Sequence, residues 1–130
     1  MADEIMVTTK LVYSGKEASN GPAGFTLPEK TWSVDQAGSD YTKGTQNINS
    51  TTAEQVVVSG DIGTQGLWEI RHLSAAGVVK FGLSGQTLSE MPFKMAAGDP
   101  PLRFRANGPI YAAVSASASP VQIDFVCFEA

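Results

Sequence analysis

The sequence predicts an all-β protein built as an antiparallel β-sandwich or barrel. Three observations predict it. About nine or ten short stretches rich in β-branched and aromatic residues recur at spacings of roughly 8–12 residues, with Gly, Pro, Asn, Asp and Ser between them. No stretch sustains a helical period bounded by caps. The length of 130 residues suits one domain, 1–130, and a chain of that size buries roughly 65–70% of its unfolded surface without help from metals or disulfides.

Taken in order, Ile5–Tyr13 reads as a first strand because β-branched and aromatic residues dominate it. The short polar stretch before it makes residues 1–13 an extended N-terminal arm plus first strand. Ser14–Gly24 carries three glycines and a proline and reads as a long polar loop. A second strand is expected at Thr31–Gln36, where Trp32 and Val34 alternate with Ser33 and Asp35. Gly38-Ser39-Asp40 turns the chain into Tyr41–Ile48, and Glu54–Val58 is a short apolar strand.

The organising stretch is Gly66–Leu83, expected to be two strands joined by a tight turn at Ser74–Gly77. Trp68, Ile70 and His72 share one side of the first, and Leu67, Glu69, Arg71 and Leu73 the other. Val79, Phe81 and Leu83 alternate against Val78, Lys80 and Gly82 in the second. Such a hairpin cannot bury an apolar side alone, so it must belong to a larger sheet. After the loop Ser84–Glu90, Met91–Met95 carries a proline and is an edge strand or irregular. Pro101–Arg105 sets Leu102 and Phe104 against Arg103 and Arg105. Ile110–Ala116 and Val121–Glu129 are expected to finish the chain as a pair.

Charged residues make up 17% of the chain, below the typical ~25%, so much of the surface is small and weakly hydrated. That suits broad contacts with other proteins, and equally a turn-rich sheet. The net charge of −4 and the scatter of the basic residues leave no basic face, which sets aside direct binding of nucleic acid. One cysteine excludes an internal disulfide. With an acidic N-terminus that lacks a cationic-then-apolar pattern, it points to cytoplasmic synthesis without a secretory signal. Ala106–Ile123 is uncharged but too rich in Ser, Gly and Pro to span a bilayer, so no membrane role is expected.

No residue set names a reaction. His72 is the sole histidine and falls on the apolar side of its strand, where a packed imidazole is expected. Cys127 falls on the inward side of the last strand with Val121, Ile123 and Phe125, where apolar surroundings blunt a thiol. One His and one Cys are too few for a zinc site. The loop Gly60–Gly66 is glycine-rich but leads into a strand, unlike phosphate loops, which lead into a helix. Asp35, Asp40 and Asp61 lack a calcium-ligand spacing. Asn49-Ser50-Thr51 matches a glycosylation acceptor without a route to the modifying enzymes. No serine sits in a G-x-S-x-G elbow. The chain therefore reads as a non-enzyme with no catalytic, cofactor-binding or metal residues. The outward side of the last strand is polar at Gln122 and Asp124 but apolar at Val126 and Phe128. A strand apolar on both sides is either central in a sandwich or covered by a neighbouring subunit.

The second half has a particular order. A G-x-W-x-I-R-H-L strand is followed by a small-residue turn and V-V-K-F-G-L. Then come M-P-F-K-M-A-A-G-D-P-P-L-R-F-R-A, P-I-Y-A-A-V-S-A and V-Q-I-D-F-V-C-F-E. This resembles a broad group of small virion structural proteins of tailed bacteriophages. Arg71-His72-Leu73 replaces their Asn-containing strand end, and Gly98-Asp99-Pro100 stands where Gly-Glu-Pro is expected. The resemblance implies a jelly-roll-like sandwich located in the virion, foremost a capsid decoration (cement) protein, with a tail or fibre-base component as the alternative. It implies contacts with the major capsid protein or other virion proteins, and a homo-oligomer, by preference a trimer. Intersubunit contacts are then expected at Ile5, Val7, Leu11 and Tyr13 of the arm, at Trp32 and Tyr41, and at Val126 and Phe128. A carbohydrate-binding sandwich with Trp32, Tyr41 and Trp68 stacking on sugars is one rival. An enzyme built on a jelly roll is another, disfavoured because His72 stands alone.

Overall fold

The structure, a computed structural model, describes residues 5–16, 23–34, 41–56, 65–106 and 108–129; at 12–16, 23–26, 33–34 and 65 it describes the backbone alone. Among the described residues the chain is all-β and antiparallel, without helix. Its contacts divide it into two compact units, Met1–Gln36 and Ala37–Ala130, where the sequence suggested a single sandwich over 1–130.

The first unit is a hairpin of β1 (Ile5–Lys16) and β2 (Ala23–Val34). The ladder runs from Ile5 opposite Val34 to Lys16 opposite Ala23, with irregularities between Thr9 and Leu11 and between Tyr13 and Lys16. Thus Ser14–Gly24 is not wholly a loop, and the second strand begins at Ala23 and not at Thr31. Glycine and serine weaken a strand but do not remove its backbone donors, so a long ladder can carry them. Pro28, which has no N–H to give, lies opposite the first irregularity, where the ladder has no place for one. Across the pair, the Thr8 and Thr31 hydroxyls lie 2.9 Å apart, and Lys30 Nζ sits 5.2 Å from the Trp32 ring centroid.

The second unit contains the sandwich. Its strands are β3 (Tyr41–Ile48), β4 (Glu54–Gln55), β5 (Gln65–His72), β6 (Val78–Gly82), β7 (Phe93–Ala96), β8 (Leu102–Arg105), β9 (Tyr111–Val114) and β10 (Val121–Glu129). They form two four-stranded sheets, β3-β10-β5-β8 and β4-β9-β6-β7. The pairing is nested: β3 with β10, β4 with β9, β5 with β8, β6 with β7. The unit is thus one long antiparallel ribbon with β6–β7 at its tip, wrapped so that β5 also meets β10 and β6 also meets β9. Such nesting fits a jelly-roll-like sandwich.

Two expected hairpins are overturned by this topology. β5 and β6 lie in different sheets, as do β9 and β10. Trp68 and Ile70 on β5 and Val79 and Phe81 on β6 all belong to the core, and strands with an apolar side each bury both sides by facing one another across a sandwich ~10 Å thick. The Ser74–Gly77 segment is therefore a crossover. It is fastened to the start of β10: Leu73 N donates to Gln122 O at 2.9 Å, and Gln122 N donates to Ser74 Oγ at 2.8 Å. Gly77, at φ 92°, closes against Val121.

The core takes Ile48, Trp68, Ile70, Val121, Ile123 and Cys127 from one sheet and Val79, Phe81, Met95, Ala112 and Val114 from the other. Each fully buried large apolar side chain contributes roughly 1.5–3 kcal/mol. Trp68 stacks on Phe104 at 6.3 Å and tilts against Phe125 at 6.0 Å. Its Nε1 has no hydrogen-bond partner among the described residues, at a cost of about 1–3 kcal/mol.

The loop after β6 is tied to itself. Gln86 Oε1 accepts from Leu83 N at 2.7 Å, and Glu90 Oε1 accepts from Thr87 N and Oγ1 at 3.2 and 2.6 Å. These bonds from Thr87 hold the exposed Glu90 carboxyl below the usual range. A side chain at Gly82 would overlap Gln86 Oε1 and crowd Met91 Cγ, so a larger residue there would push the Gln86 amide away from Leu83 N. The expected edge strand at Met91–Met95 is present as β7, shifted to Phe93–Ala96 and clear of Pro92.

A candidate interface on the outer sheet face

β10 alternates strictly. Val121, Ile123, Phe125 and Cys127 are buried, while Gln122, Asp124, Val126 and Phe128 face outward. Because β10 is central, Asp124 and Val126 gain neighbours on both sides. Phe128 lies opposite Tyr41; Val126 lies between Lys43 and Glu69; Asp124 lies between Thr45 and Arg71. Beyond β5, Glu69 faces Arg103 and Leu67 faces Arg105. The outer face of this sheet is thus an apolar aromatic strip beside a row of paired charges.

The Tyr41 and Phe128 rings lie 6.1 Å apart, tilted by 42°, and Tyr41 is 59% exposed. Glu69 holds two cations: Arg103 Nε donates to its Oε1 at 2.5 Å and Arg71 Nη2 to its Oε2 at 3.0 Å. Burial pushes the Glu69 carboxyl upward, but the hydrogen bond and charge of Arg103, joined by Arg71, outweigh it and hold the group below the usual range. Lys43, Glu69, Arg71, Asp124 and Val126 line a surface concavity of about 280 Å³. Chemically such an arrangement can serve recognition: a row of paired charges can orient a partner and an aromatic strip can supply apolar area.

The groups that might have carried chemistry lie elsewhere. His72 Nε2 is 3.0 Å from Gly77 O, an oxygen that can only accept, so the proton sits on Nε2. Nδ1 is buried without a hydrogen-bond partner among the described residues. This is the packed imidazole expected from its strand position, holding the crossover. Cys127 is buried, and burial raises its thiol pKa against a smaller opposing hydrogen bond from the Gly66 backbone. Among the described residues no three His, Cys, Asp or Glu side chains gather as a metal site, and no helix is long and apolar enough to cross a membrane. Asp35, Asp40 and Asp61 lie outside the described residues, as does most of the loop before Gly66.

Of the residues expected at interfaces, the structure brings Tyr41, Val126 and Phe128 together on one face. Val7 and Trp32 face each other across the hairpin, Val7 half-buried and Trp32 exposed. Leu11 is exposed opposite Leu27, whereas Ile5 is only 8% exposed and is packed away. The Tyr13 side chain lies outside the described residues. Trp68 is fully buried, which removes it from any sugar-stacking set. Sequence reasoning missed Met6, which is 70% exposed, and Leu27, hidden in a stretch taken as non-strand. It also missed the Glu69–Arg71–Arg103 row. The alternation of β5 had already placed Glu69 and Arg71 on one side, and only the β5–β8 register adds Arg103. Comparison with known protein families, with characterised proteins and with solved structures finds no match.

Proposed function

We propose that this chain is a structural protein of a bacteriophage particle, foremost a capsid decoration (cement) protein, acting as a homo-oligomer and without catalysis. The observation that carries the reading is the convergence of Tyr41, Val126 and Phe128 on one exposed sheet face beside the Glu69 ion pairs. The fold alone does not choose a function. The surface argues for assembly. Four strands of this length span roughly 500 Å² in projection, somewhat less than the ~800 Å² per partner of a standard specific interface. The hairpin, taken by itself, exposes an apolar set of its own in Met6, Leu11, Leu27 and Trp32. A two-stranded ribbon is marginal in water by itself, so covering these residues stabilises the hairpin as well as the contact. On a particle surface a modest contact is repeated many times, and multivalency makes it strong.

The test is retention on purified particles. Tyr41→Ser combined with Phe128→Ser is expected to release the protein while shifting its own unfolding little, since both positions face outward. Leu11→Ser with Trp32→Ser tests the hairpin in the same assay, and sedimentation reports whether the free protein is a trimer. Undiminished retention of both double variants would sink the reading, as would absence of the chain from particles. Separation of heads from tails distinguishes decoration from a tail or fibre-base location.

A further inference from the structure

The nine basic residues look scattered along the chain, yet strand pairing gathers four of them on one face. On the outer side of the β3-β10-β5-β8 sheet, Lys43, Val126, Glu69 and Arg103 form a row across all four strands. In the row on one side Asp124 meets Arg71, and in the row on the other Leu67 meets Arg105. Within these three rows Lys43, Arg71, Arg103 and Arg105 stand against Glu69 and Asp124, a net charge of +2 on a chain whose total is −4.

The placement of the surplus selects a partner. Glu69 takes up Arg71 and Arg103. Lys43 and Arg105 are exposed and make no ion pair among the described residues. They stand on the two edge strands of the sheet, three strand spacings or roughly 14–15 Å apart. Between them lie the half-buried, apolar Val126, Phe128 and Leu67. An apolar centre with an uncommitted cation on each flank suits a protein contact. Nucleic acid also attracts cations, but Glu69 and Asp124 sit inside the rows, where they repel phosphate, and a phosphate backbone leaves the apolar centre uncovered. Two copies of this face set against each other would bring surplus positive charge against surplus positive charge. We propose that this face docks an acidic protein surface, whose apolar centre is flanked by Asp or Glu side chains that reach Lys43 on one side and Arg105 on the other. The proposal rests on the reading of this face as an assembly interface and adds the chemistry of the partner.

The test uses the full chain and three probes, followed by amide NMR shifts: a heptapeptide with a Leu-Phe-Leu centre and two glutamates at each end, the same peptide with glutamine for glutamate, and a thymidine heptanucleotide. The glutamate peptide is expected to give saturable shifts at Lys43, Leu67, Arg105 and Val126, with Kd of about 0.1–2 mM for a ligand this small. Its binding should weaken as salt rises from about 0.05 to about 0.5 M. The glutamine peptide should bind at least about fivefold more weakly, and the heptanucleotide more weakly than the glutamate peptide. Lys43→Gln with Arg105→Gln should weaken the glutamate peptide about tenfold, at three- to fivefold per cation, and leave the glutamine peptide unchanged. Equal binding of the two peptides overturns the acidic partner while leaving the face an interface, which retention on particles reads separately. A heptanucleotide that binds as tightly as the glutamate peptide overturns the proposal, and so does absence of saturable shifts up to about 5 mM.

Discussion

Gly77 and Gly85 offer a matched pair for measuring what the β5–β6 crossover contributes. Both have positive φ, 92° and 83°, so alanine at either position meets a similar backbone penalty of about 1–2 kcal/mol. Their surroundings differ. A Cβ at Gly85 meets nothing within 4 Å, whereas one at Gly77 comes 2.9 Å from Val121 Cγ2 and 3.1 Å from Ser119 O. Val121 is fully buried and stiff about χ1, and Ser119 O is backbone, so neither gives way cheaply. Forcing an extra methyl into such packing costs about 1–3 kcal/mol. Gly85→Ala should therefore destabilise by about 1–2 kcal/mol and Gly77→Ala by about 2–5 kcal/mol. The second is a large part of the ~5–15 kcal/mol that holds a typical domain. Urea unfolding followed by Trp68 fluorescence, in a Trp32→Phe background, reads the sandwich unit specifically. Equal losses at the two positions would refute the idea that the crossover is locked against the start of β10. So would a Gly77→Ala loss under about 0.5 kcal/mol.

Further outcomes follow from the ionisable groups. Because the folded Glu69 carboxyl titrates below its unfolded value, its contribution is fully present above the usual ~4.3 of a free glutamate and is lost as pH falls through the folded value. With Arg71 and Arg103 side chains 55% and 39% exposed, that contribution should stay within about 1 kcal/mol. Glu69→Gln should flatten the acid limb of a stability-versus-pH curve by that amount, and an unchanged limb would show the pairs to be energetically idle. Cys127, with its thiol pKa raised by burial, should resist a thiol-reactive disulfide reagent at about pH 8 in the native protein and react promptly in denaturant. Prompt native labelling would contradict its place in the core.

Residue order alone settled whatever has a local cause. Strand alternation repeats every two residues, so the buried set of β10, the inward Trp68 and Ile70, and the exposed Arg103 and Arg105 could all be read from spacing. β3 runs from Tyr41 to Ile48, the stretch expected after the Gly38-Ser39-Asp40 turn signal. The same locality explains why Cys127 and His72 read as packed residues and not as reactive ones.

Partner choice has no local cause. A Ser-Ala-Ala-Gly turn between two strands fits a hairpin as well as a crossover, and the decision falls to the apolar faces of β5 and β6, which can both be buried only across the sandwich. The hairpin strands β1 and β2 extend through Gly, Ser and Pro because cross-strand pairing supplies what propensity lacks. Tyr41 meets Phe128, and Glu69 meets Arg103, only because the wrapped ribbon sets their registers. Sequence fixes which way each side chain points; which neighbour it finds there depends on a fold that must bury every apolar face at once.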